Sequence, residues 1–265
     1  MIELLKIDWM KLKNYRTFWI LSVLYLVSIV GINYITYRIQ QHIYEQQSTK
    51  GAAEMIVGSR PYAFPLVWQM TSYMSSFLLF VPGLMMIIFI TNEYSFKTHR
   101  QNIIDGWSRS NFISVKIVET FIFALISTAM VFLTSLIFGN AHEKAFTWEN
   151  VHYIGYFFLQ ALSYGLFALL FAILFRRGGL AIGVFFLYAV VLENLFAGLL
   201  NKYAGNIGRY LPLESSDNLI PLPVFKQVQK QLIAPQNYTA LLIAVSIYLI
   251  IYVTFIHRKF LRDDL

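Results

Sequence analysis

Six apolar runs, each about 20 residues long, constrain this 265-residue chain more than any other feature. A helix rises about 1.5 Å per residue, so about 20 residues cross the roughly 30 Å hydrocarbon core of a bilayer. Hydrophobic residues make up 57% of the chain and charged residues only 13%, whereas soluble domains are usually about 25% charged. We therefore predict an all-α membrane protein that forms a single domain over residues 1–265. The predicted spans are 17–37, 70–90, 115–138, 153–175, 180–200 and 238–256.

Lysine and arginine set the expected orientation, because loops that stay in the cytoplasm are enriched in these residues. The basic residues on one side are spread over long loops, whereas those on the other side are dense and include both ends of the chain. We therefore expect both termini in the cytoplasm. The first apolar run is too long for a cleavable signal peptide and should remain as a span. The dense basic set comprises Lys6, Lys11, Lys13, Arg16, Lys97, Arg100, Arg109, Lys116, Arg176, Arg177, Arg258, Lys259 and Arg262.

Two segments outside the spans have amphipathic or mixed character. Residues 1–16 alternate apolar side chains with lysines, which predicts an interfacial helix with its lysines toward anionic lipid; a plain cytoplasmic tail is the alternative. The segment 201–237 precedes the last span. Its portion 211–223, LPLESSDNLIPLP, mixes apolar residues with three prolines. This predicts a re-entrant extracellular segment that dips back toward the bilayer, and a structured external loop is the alternative.

Motifs for chemistry are missing from the sequence. The chain has no cysteine, which excludes disulfides, a thiolate nucleophile and zinc-thiolate sites. It contains no G-x-x-x-x-G-K-[ST] phosphate loop, no H-E-x-x-H and no G-x-S-x-G. We therefore predict no catalytic residue, no metal site and no cofactor in this chain. The net charge of +7 reflects orientation, so we expect no nucleic-acid partner.

A few polar or helix-breaking residues inside the spans mark a candidate translocation path. Glu193 is ionisable, lies well inside the fifth predicted span and is followed by Asn194. Charge at that depth is costly, so a function is the default hypothesis. Glu193 could line a polar pathway or contact a cationic substrate, or it could face headgroups or water. In the second span Pro82 predicts a kink, which could act as a gate or serve packing. The candidate path residues are Ser75, Pro82, Glu193 and Asn194.

The polar segment 92–116, NEYSFKTHRQNIIDGWSRSNFISVK, joins the second and third predicted spans on the cytoplasmic side. Glu93 and Lys97 have the favourable i, i+4 order for a helix that continues out of the membrane. Asp105 and the glycine after it should break that helix, and Arg109 should begin a second segment. The pattern predicts two short helices that project into the cytoplasm.

This segment resembles the permease subunits of type-2 ABC transporters, the bacterial export class that includes bacitracin and lantibiotic self-immunity permeases. In that family a glutamate follows the second span, before a Gly-Thr-like step, a basic residue, a Pro-x-Ser-Arg-like turn and a lysine that enters the third span. Two positions depart from the pattern, since Lys97 replaces the glycine and the turn lacks proline. The amphipathic start, the six spans and the segment before the last span extend the resemblance over nearly the whole chain. The matching residues are Glu93, Lys97, Thr98, Arg100, Gly106, Trp107, Ser108, Arg109 and Lys116.

The resemblance implies a location in the bacterial cytoplasmic membrane and a set of partners. The chain would pair with a second permease, identical or related, and with two separate ATPase subunits that carry ATP and Mg. Residues 92–116 would act as the coupling helix, and the second and fifth spans would line the path. The implied function is export of a hydrophobic or amphipathic substrate, such as a lipid or a peptide antibiotic, without an ATPase site in this chain. The implied coupling residues are Glu93, Lys97, Arg100, Asp105 and Arg109.

Two other function classes stay open. One is a membrane-embedded enzyme that acts on lipid or protein, with Glu193 and Asn194 as polar site residues. It would need a second acid, base or metal ligand nearby, and the predicted spans supply no obvious one. The other is a mechanical or assembly module that is driven by the same kind of ATPase without moving a small molecule.

Overall fold

The computed structural model describes residues 2–45, 60–104, 106–141, 145–223 and 236–262, and within these ranges the chain forms helices and turns without a β-strand. The first half contains α1 (Ile2–Lys13), α2 (Arg16–Glu45), α3 (Val67–Ser76), α4 (Phe80–Ser95), α5 (Thr98–Ile104) and α6 (Arg109–Asn140). The second half contains α7 (His152–Phe175), α8 (Gly178–Phe186), a π-helical turn (Leu187–Leu192), α9 (Glu193–Tyr203), a 3-10 turn (Ile207–Tyr210), α10 (Glu214–Asp217) and α11 (Tyr238–Arg262).

Within the described ranges, five continuous helices are long and apolar enough to cross a membrane. They are α2, α6, α7, the helix that joins α8 to α9 through the π-helical turn, and α11. The bent pair α3 and α4 makes a sixth candidate if it counts as one span. The predicted all-helical architecture is confirmed for the described ranges, which contain five or six candidate spans. The helices are compatible with a multi-pass membrane protein.

The helix pair α3 and α4 is bent by 44° at the break between Ser76 and Phe80. Pro82 explains why the bend lies at this point of the chain. A proline has no N–H for the carbonyl four residues earlier, which belongs to Leu78, and its ring crowds that carbonyl. The chain instead forms a tighter turn, in which the N–H of Val81 donates to the carbonyl of Leu78 at 3.0 Å. The predicted kink therefore lies one turn before the proline.

The helix α7 is the centre of the bundle. Of its most apolar 18 residues, 67% are buried, against 22% of the corresponding residues in α2 and in α11. Five helices pack against it: α3, α4, α6, α8 and α11. The outer helices expose many aliphatic side chains, as lipid-facing helices do. Close packing depends on Gly83 in α4, because a Cβ there would lie 2.7 Å from the ring of Phe185 in α8.

Several helices extend beyond the predicted spans, and α2 and α6 are two examples. The helix α2 continues to Glu45, beyond residue 37, because the polar residues after the apolar run are still compatible with a helix. The helix α6 begins at Arg109, before residue 115. Its start is capped by Ser108, whose hydroxyl accepts the N–H of Asn111 at 3.0 Å. Both helices thus extend past the apolar stretch.

Candidate functional site

The segment 92–116 forms one short helix between two turns. The helix α4 ends at Ser95, and Lys97 adopts a left-handed conformation with φ of 56°. The helix α5 then runs over Thr98–Ile104, and Gly106, with φ of 99°, leads into α6. The predicted continuous helix past Lys97 is therefore wrong, because a left-handed residue cannot continue a right-handed helix. The predicted second short helix is also wrong, since those residues are the first turns of α6.

A buried charge cluster lies at the base of this segment and consists of Asp8, Lys11, Glu93, Lys116 and Glu119. The ammonium of Lys116 is its centre and is 0% exposed. It lies 2.6 Å from Oδ2 of Asp8 and 2.7 Å from Oε1 of Glu93. It also lies 3.3 Å from Oε2 of Glu119. Lys11 adds a second cation, 2.8 Å from Oδ1 of Asp8.

These contacts balance the cost of burying the ammonium of Lys116. Removing such a charge from water costs several kcal/mol, which only close partners with good geometry offset. The aromatic ring of Phe89 also faces the ammonium, with its centroid 4.1 Å away. Burial by itself would raise the pKa of Asp8, but the charge of Lys116 and hydrogen bonds from Lys11 and Lys116 outweigh it and lower that pKa below 3.8. Asp8 is therefore ionised at neutral pH.

The buried charge cluster joins three helices through one cation. Asp8 comes from α1, Glu93 from the last turns of α4, and Lys116 from α6. Both ends of the segment 92–116 and the N-terminal helix are therefore tied together. Nowhere in the described ranges does a group of three or more His, Asp or Glu side chains have the arrangement of a metal site. The cluster is suited to holding these helices in place.

The other predicted coupling residues do not join this cluster. Lys97 and Arg100 are exposed near the start of α5. The guanidinium of Arg109 donates to the carbonyl of Leu261 at 3.2 Å, which ties the start of α6 to the end of α11. Asp105 lies outside the described residues. The predicted set is thus divided among the cluster, the surface and the end of the last helix.

The four predicted path residues lie in different surroundings. Ser75 is buried, and its hydroxyl accepts a hydrogen bond from the amide of Asn33 at 3.1 Å, which joins α3 to α2. Pro82 follows the bend between α3 and α4. Asn194 is exposed, and its amide donates to the carbonyl of Val190 within its own helix at 3.2 Å. These three residues therefore have structural explanations that require no substrate.

Glu193 is buried and binds the backbone of another segment. Its side chain is 2% exposed, and Oε1 accepts the N–H of Leu213 at 2.6 Å and that of Glu214 at 3.0 Å. The alternative that Glu193 faces headgroups or water is therefore wrong. The neighbouring Asn194 is exposed, so the two residues do not share a pocket. In this conformation Glu193 holds the segment that precedes α11.

That segment, residues 207–223, is named here the cap segment. Asp217 in α10 is its second anchor: Oδ1 accepts the amide N–H of Gln160 at 2.8 Å, and Oδ2 accepts the hydroxyl of Tyr164 at 3.0 Å. Burial raises the pKa of Asp217 to about 7. The hydrogen bond from Gln160 lowers this pKa, and the charge of Glu214 raises it further. Two backbone carbonyls of the cap segment accept further hydrogen bonds. That of Pro221 accepts the side-chain amide N–H of Gln69 at 2.6 Å, and that of Tyr210 accepts the hydroxyl of Tyr248 at 3.0 Å.

The cap segment packs against four helices of the bundle. It contacts side chains from α3, α7, α9 and α11, so it covers one end of the bundle. The remaining residues of the predicted re-entrant region, 224–235, lie outside the described residues. The apolar and proline-rich composition of 211–223 is the sequence signal for this arrangement.

Three acidic residues that matter in the structure were missed from the predicted site. Asp8, Glu119 and Asp217 carry the contacts described above but were not selected. A signal existed for Glu119, because it follows Lys116 by three positions inside a predicted span, where charged residues are costly. For Asp8 the sequence shows only the i, i+3 partner Lys11, because its other partner, Lys116, is 108 positions away.

Comparison with known families gives a match without a known activity. A family model described as a protein of unknown function, DUF2705, matches residues 35–265. The match includes the segment 92–116 and the cap segment, whereas α1 lies outside it. No curated protein matches this chain.

Proposed function

The chain belongs to the family of proteins of unknown function DUF2705, and we propose that it is the transmembrane permease subunit of an ABC exporter. It moves a hydrophobic or amphipathic substrate with ATP that separate subunits hydrolyse. It resides in the bacterial cytoplasmic membrane with both termini inside, and it pairs with a second permease. ATP and Mg bind to the partner subunits.

The observation that carries this proposal is the position of Lys116 between Asp8 and Glu93. A coupling element must be attached rigidly to the spans, so that its own movement also moves them. The ammonium of Lys116 contacts carboxylates from α1 and α4 at 2.6 and 2.7 Å while it is itself part of α6. Close ion pairs away from water are strong and directional. A force on α5 therefore reaches α1, α4 and α6 together.

The helix α5 also presents a surface that suits a protein partner. Ile104 at its end is 77% exposed, and Phe96 before it is 75% exposed. Large apolar side chains exposed on a polar segment outside the spans favour an interaction site. The left-handed conformation of Lys97 is one that glycine adopts at lower cost, which agrees with the glycine of the resembled permeases at this place. These features support the role of coupling helix for α5.

The two spans that the resemblance assigns to the path each contain an irregular turn. The second span is bent by 44° between Ser76 and Phe80. The fifth span contains a π-helical turn over Leu187–Leu192. Such turns are weak points of a helix and often accompany function. In the proposed mechanism, closure of the ATPase dimer moves α5, and these two spans change the opening of the path. Coupling requires that the ATPase bind the two permease states with different affinity.

The remaining segments have roles that follow from this location. The helix α1 exposes Trp9 and Met10 beside Lys6 and Lys13, which suits a helix at the cytoplasmic membrane surface. The cap segment is then the re-entrant element at the extracellular end. A membrane enzyme centred on Glu193 and Asn194 has less support, because the first binds backbone amides and the second is exposed.

The absence of cysteine allows a direct test of the ATPase contact. Ile104→Cys introduces a single thiol at the end of α5, and Tyr203→Cys introduces one at the other end of the bundle; both parent side chains are 77% exposed. Each variant is labelled with a maleimide photo-crosslinker in native membranes, and the adducts are identified by mass spectrometry. We expect an ATP-hydrolysing subunit in the adduct of Ile104→Cys and none in that of Tyr203→Cys.

An adduct pattern shared by both variants, or one without an ATP-hydrolysing protein, would contradict the proposal. A second measurement separates export from mechanical work. In proteoliposomes that contain the purified complex, an exporter shows ATPase activity stimulated by its substrate. Constant activity across a panel of lipids and amphipathic peptides favours the mechanical module.

A further inference from the structure

A basic cleft of about 380 Å³ opens between the start of α5 and the turn that joins α7 to α8. No acidic residue is among the described residues that line it. We propose that this cleft binds the phosphate headgroup of an anionic membrane lipid. Its volume is in the usual range for small-molecule sites, about 300–1,000 Å³. The four basic residues in its lining are Lys97, Arg100, Arg176 and Arg177.

Three of the four basic residues of the cleft have no ion pair within the described part of the chain: Lys97, Arg100 and Arg177. The guanidinium of Arg176 lies over the ring of Tyr94, at 5.6 Å from its centroid. A cleft lined by one sign of charge concentrates the electric field and attracts a counter-ion. The ligand is therefore an anion.

The backbone provides an independent observation. Lys97 has φ of 56° and Arg176 has φ of 54°, both in the left-handed region that favours glycine. Arg176 ends α7, and its N–H donates to the carbonyl of Ala172 at 3.0 Å. Unfavourable backbone conformations of this kind cluster at ligand sites, where the side chain has a use. Both of these residues are basic, and both line the same cleft.

The location favours a lipid over a soluble anion. The cleft lies where α4 ends at Ser95, α7 ends at Phe175 and α8 begins at Gly178. A Cβ on Gly178 would lie 3.1 Å from Oγ1 of Thr91, so the close approach of α8 and α4 fixes the two walls. Leu180, which follows the lining residue Arg177 by three positions, is 48% exposed. A phosphate in the cleft therefore has apolar surface next to it for an acyl chain.

The dense basic side of the bundle is the one expected to face the cytoplasmic leaflet, whose anionic lipids attract lysine and arginine. The lipid site lies at the start of α5, next to Phe96 of the proposed ATPase contact, whereas Ile104 lies at the other end of this helix. The inference uses the proposed cytoplasmic orientation but not the proposed transport activity. It concerns the chain alone, in a membrane or in detergent.

The left-handed residue Lys97 allows a sharp test. Lys97→Gly removes a cation and places glycine where glycine is favoured, so the thermal midpoint should stay equal or rise. Arg177→Gln removes a second cation. Arg16→Gln is the matched control, since Arg16 is an exposed arginine on the same side and outside the cleft. The full-length chain in neutral detergent is titrated with phosphatidylglycerol or phosphatidylcholine, and bound lipid is counted by native mass spectrometry.

We expect preferential binding of phosphatidylglycerol, weakened about fivefold by Lys97→Gly or Arg177→Gln and roughly 25-fold by both, because each cation contributes a similar factor. Arg16→Gln should bind as the parent does, and millimolar inorganic phosphate or glycerol 3-phosphate should not displace the lipid. Equal binding of the two lipids, or equal loss in Arg16→Gln, overturns the proposal. Displacement by inorganic phosphate would assign the cleft to a soluble anion, and tighter binding of an oligoglutamate peptide would assign it to an acidic protein.

Discussion

The ammonium of Lys116 lies 2.6 Å from the carboxylate of Asp8, although 108 positions separate the two residues. Neither group is exposed, so each depends on the other for its charge to be tolerated. This pair attaches the N-terminal helix to the third predicted span. The attachment point is also the end of the segment proposed to contact the ATPase.

Replacing the central cation should destabilise the chain strongly. Lys116→Met leaves Asp8, Glu93 and Glu119 buried around an apolar side chain, and breaking a buried pair in this way costs about 3–5 kcal/mol. The free energy of unfolding in mixed detergent measures the effect. Lys13→Met, which removes an exposed lysine of α1, should change it by less than about 0.5 kcal/mol.

A compensated variant separates charge from packing. Lys116→Met combined with Asp8→Asn, Glu93→Gln and Glu119→Gln removes the three carboxylates around the lost cation and should recover most of the lost stability. A combined variant as unstable as the single one would show that the volume and hydrogen bonds of Lys116 matter more than its charge.

Glu193 should be required for the cap segment. Glu193→Ala leaves the buried N–H groups of Leu213 and Glu214 without their acceptor, at a cost of about 2–4 kcal/mol, and should speed hydrogen exchange at both amides. Glu193→Gln retains an acceptor oxygen and should lose less. Asn194→Ala, at the exposed neighbour, should leave exchange unchanged. Unaltered exchange in Glu193→Ala would refute the anchoring role.

Asp217 should make the stability depend on pH. Its pKa is about 7 in the folded chain and 3.8 in the unfolded one, so the folded state holds the proton more tightly. The resulting stabilisation is complete below pH 3.8 and is lost as the pH rises to 7. Asp217→Asn should therefore flatten the fall in stability between pH 4 and 7, measured by thermal unfolding. Glu149→Gln, which removes an exposed carboxylate, should keep the parental slope.

Gly83 should tolerate no larger side chain. Gly83→Ala places a Cβ 2.7 Å from the ring of Phe185, so α4 and α8 must separate, at a cost of about 1–3 kcal/mol. Gly179→Ala is the matched control, since a Cβ there meets nothing within 4 Å, and alanine favours a helix by up to about 1 kcal/mol. Equal unfolding free energies for the two variants would show that the contact between α4 and α8 adapts without cost.

The spans and the bend could be predicted because their causes are local. An apolar run of sufficient length predicts a span, and Pro82 acts on the carbonyl one turn earlier. The ends of the helices were harder to predict, because hydropathy indicates where the apolar stretch ends and not where the helix ends. For this reason α2 extends to Glu45, past the predicted boundary at residue 37.

The contacts of the site could not be predicted because their partners are distant. Glu93 has a suitable local partner in Lys97, four positions later. The left-handed turn at Lys97 interrupts the helix, and Glu93 instead pairs with the buried ammonium of Lys116. Glu193 was selected because it is an ionisable residue inside a predicted span. Its partners are backbone amides of Leu213 and Glu214, which carry no side-chain signal in a sequence.

The ion pair between Asp8 and Lys116 also orders biogenesis. The ribosome adds Asp8 108 residues before Lys116, so the first helix leaves the exit tunnel well ahead of its partner. During that interval its carboxylate can rely only on Lys11 of the same helix and on water. The ion pair with Lys116 can form only after the chain has been synthesised as far as α6.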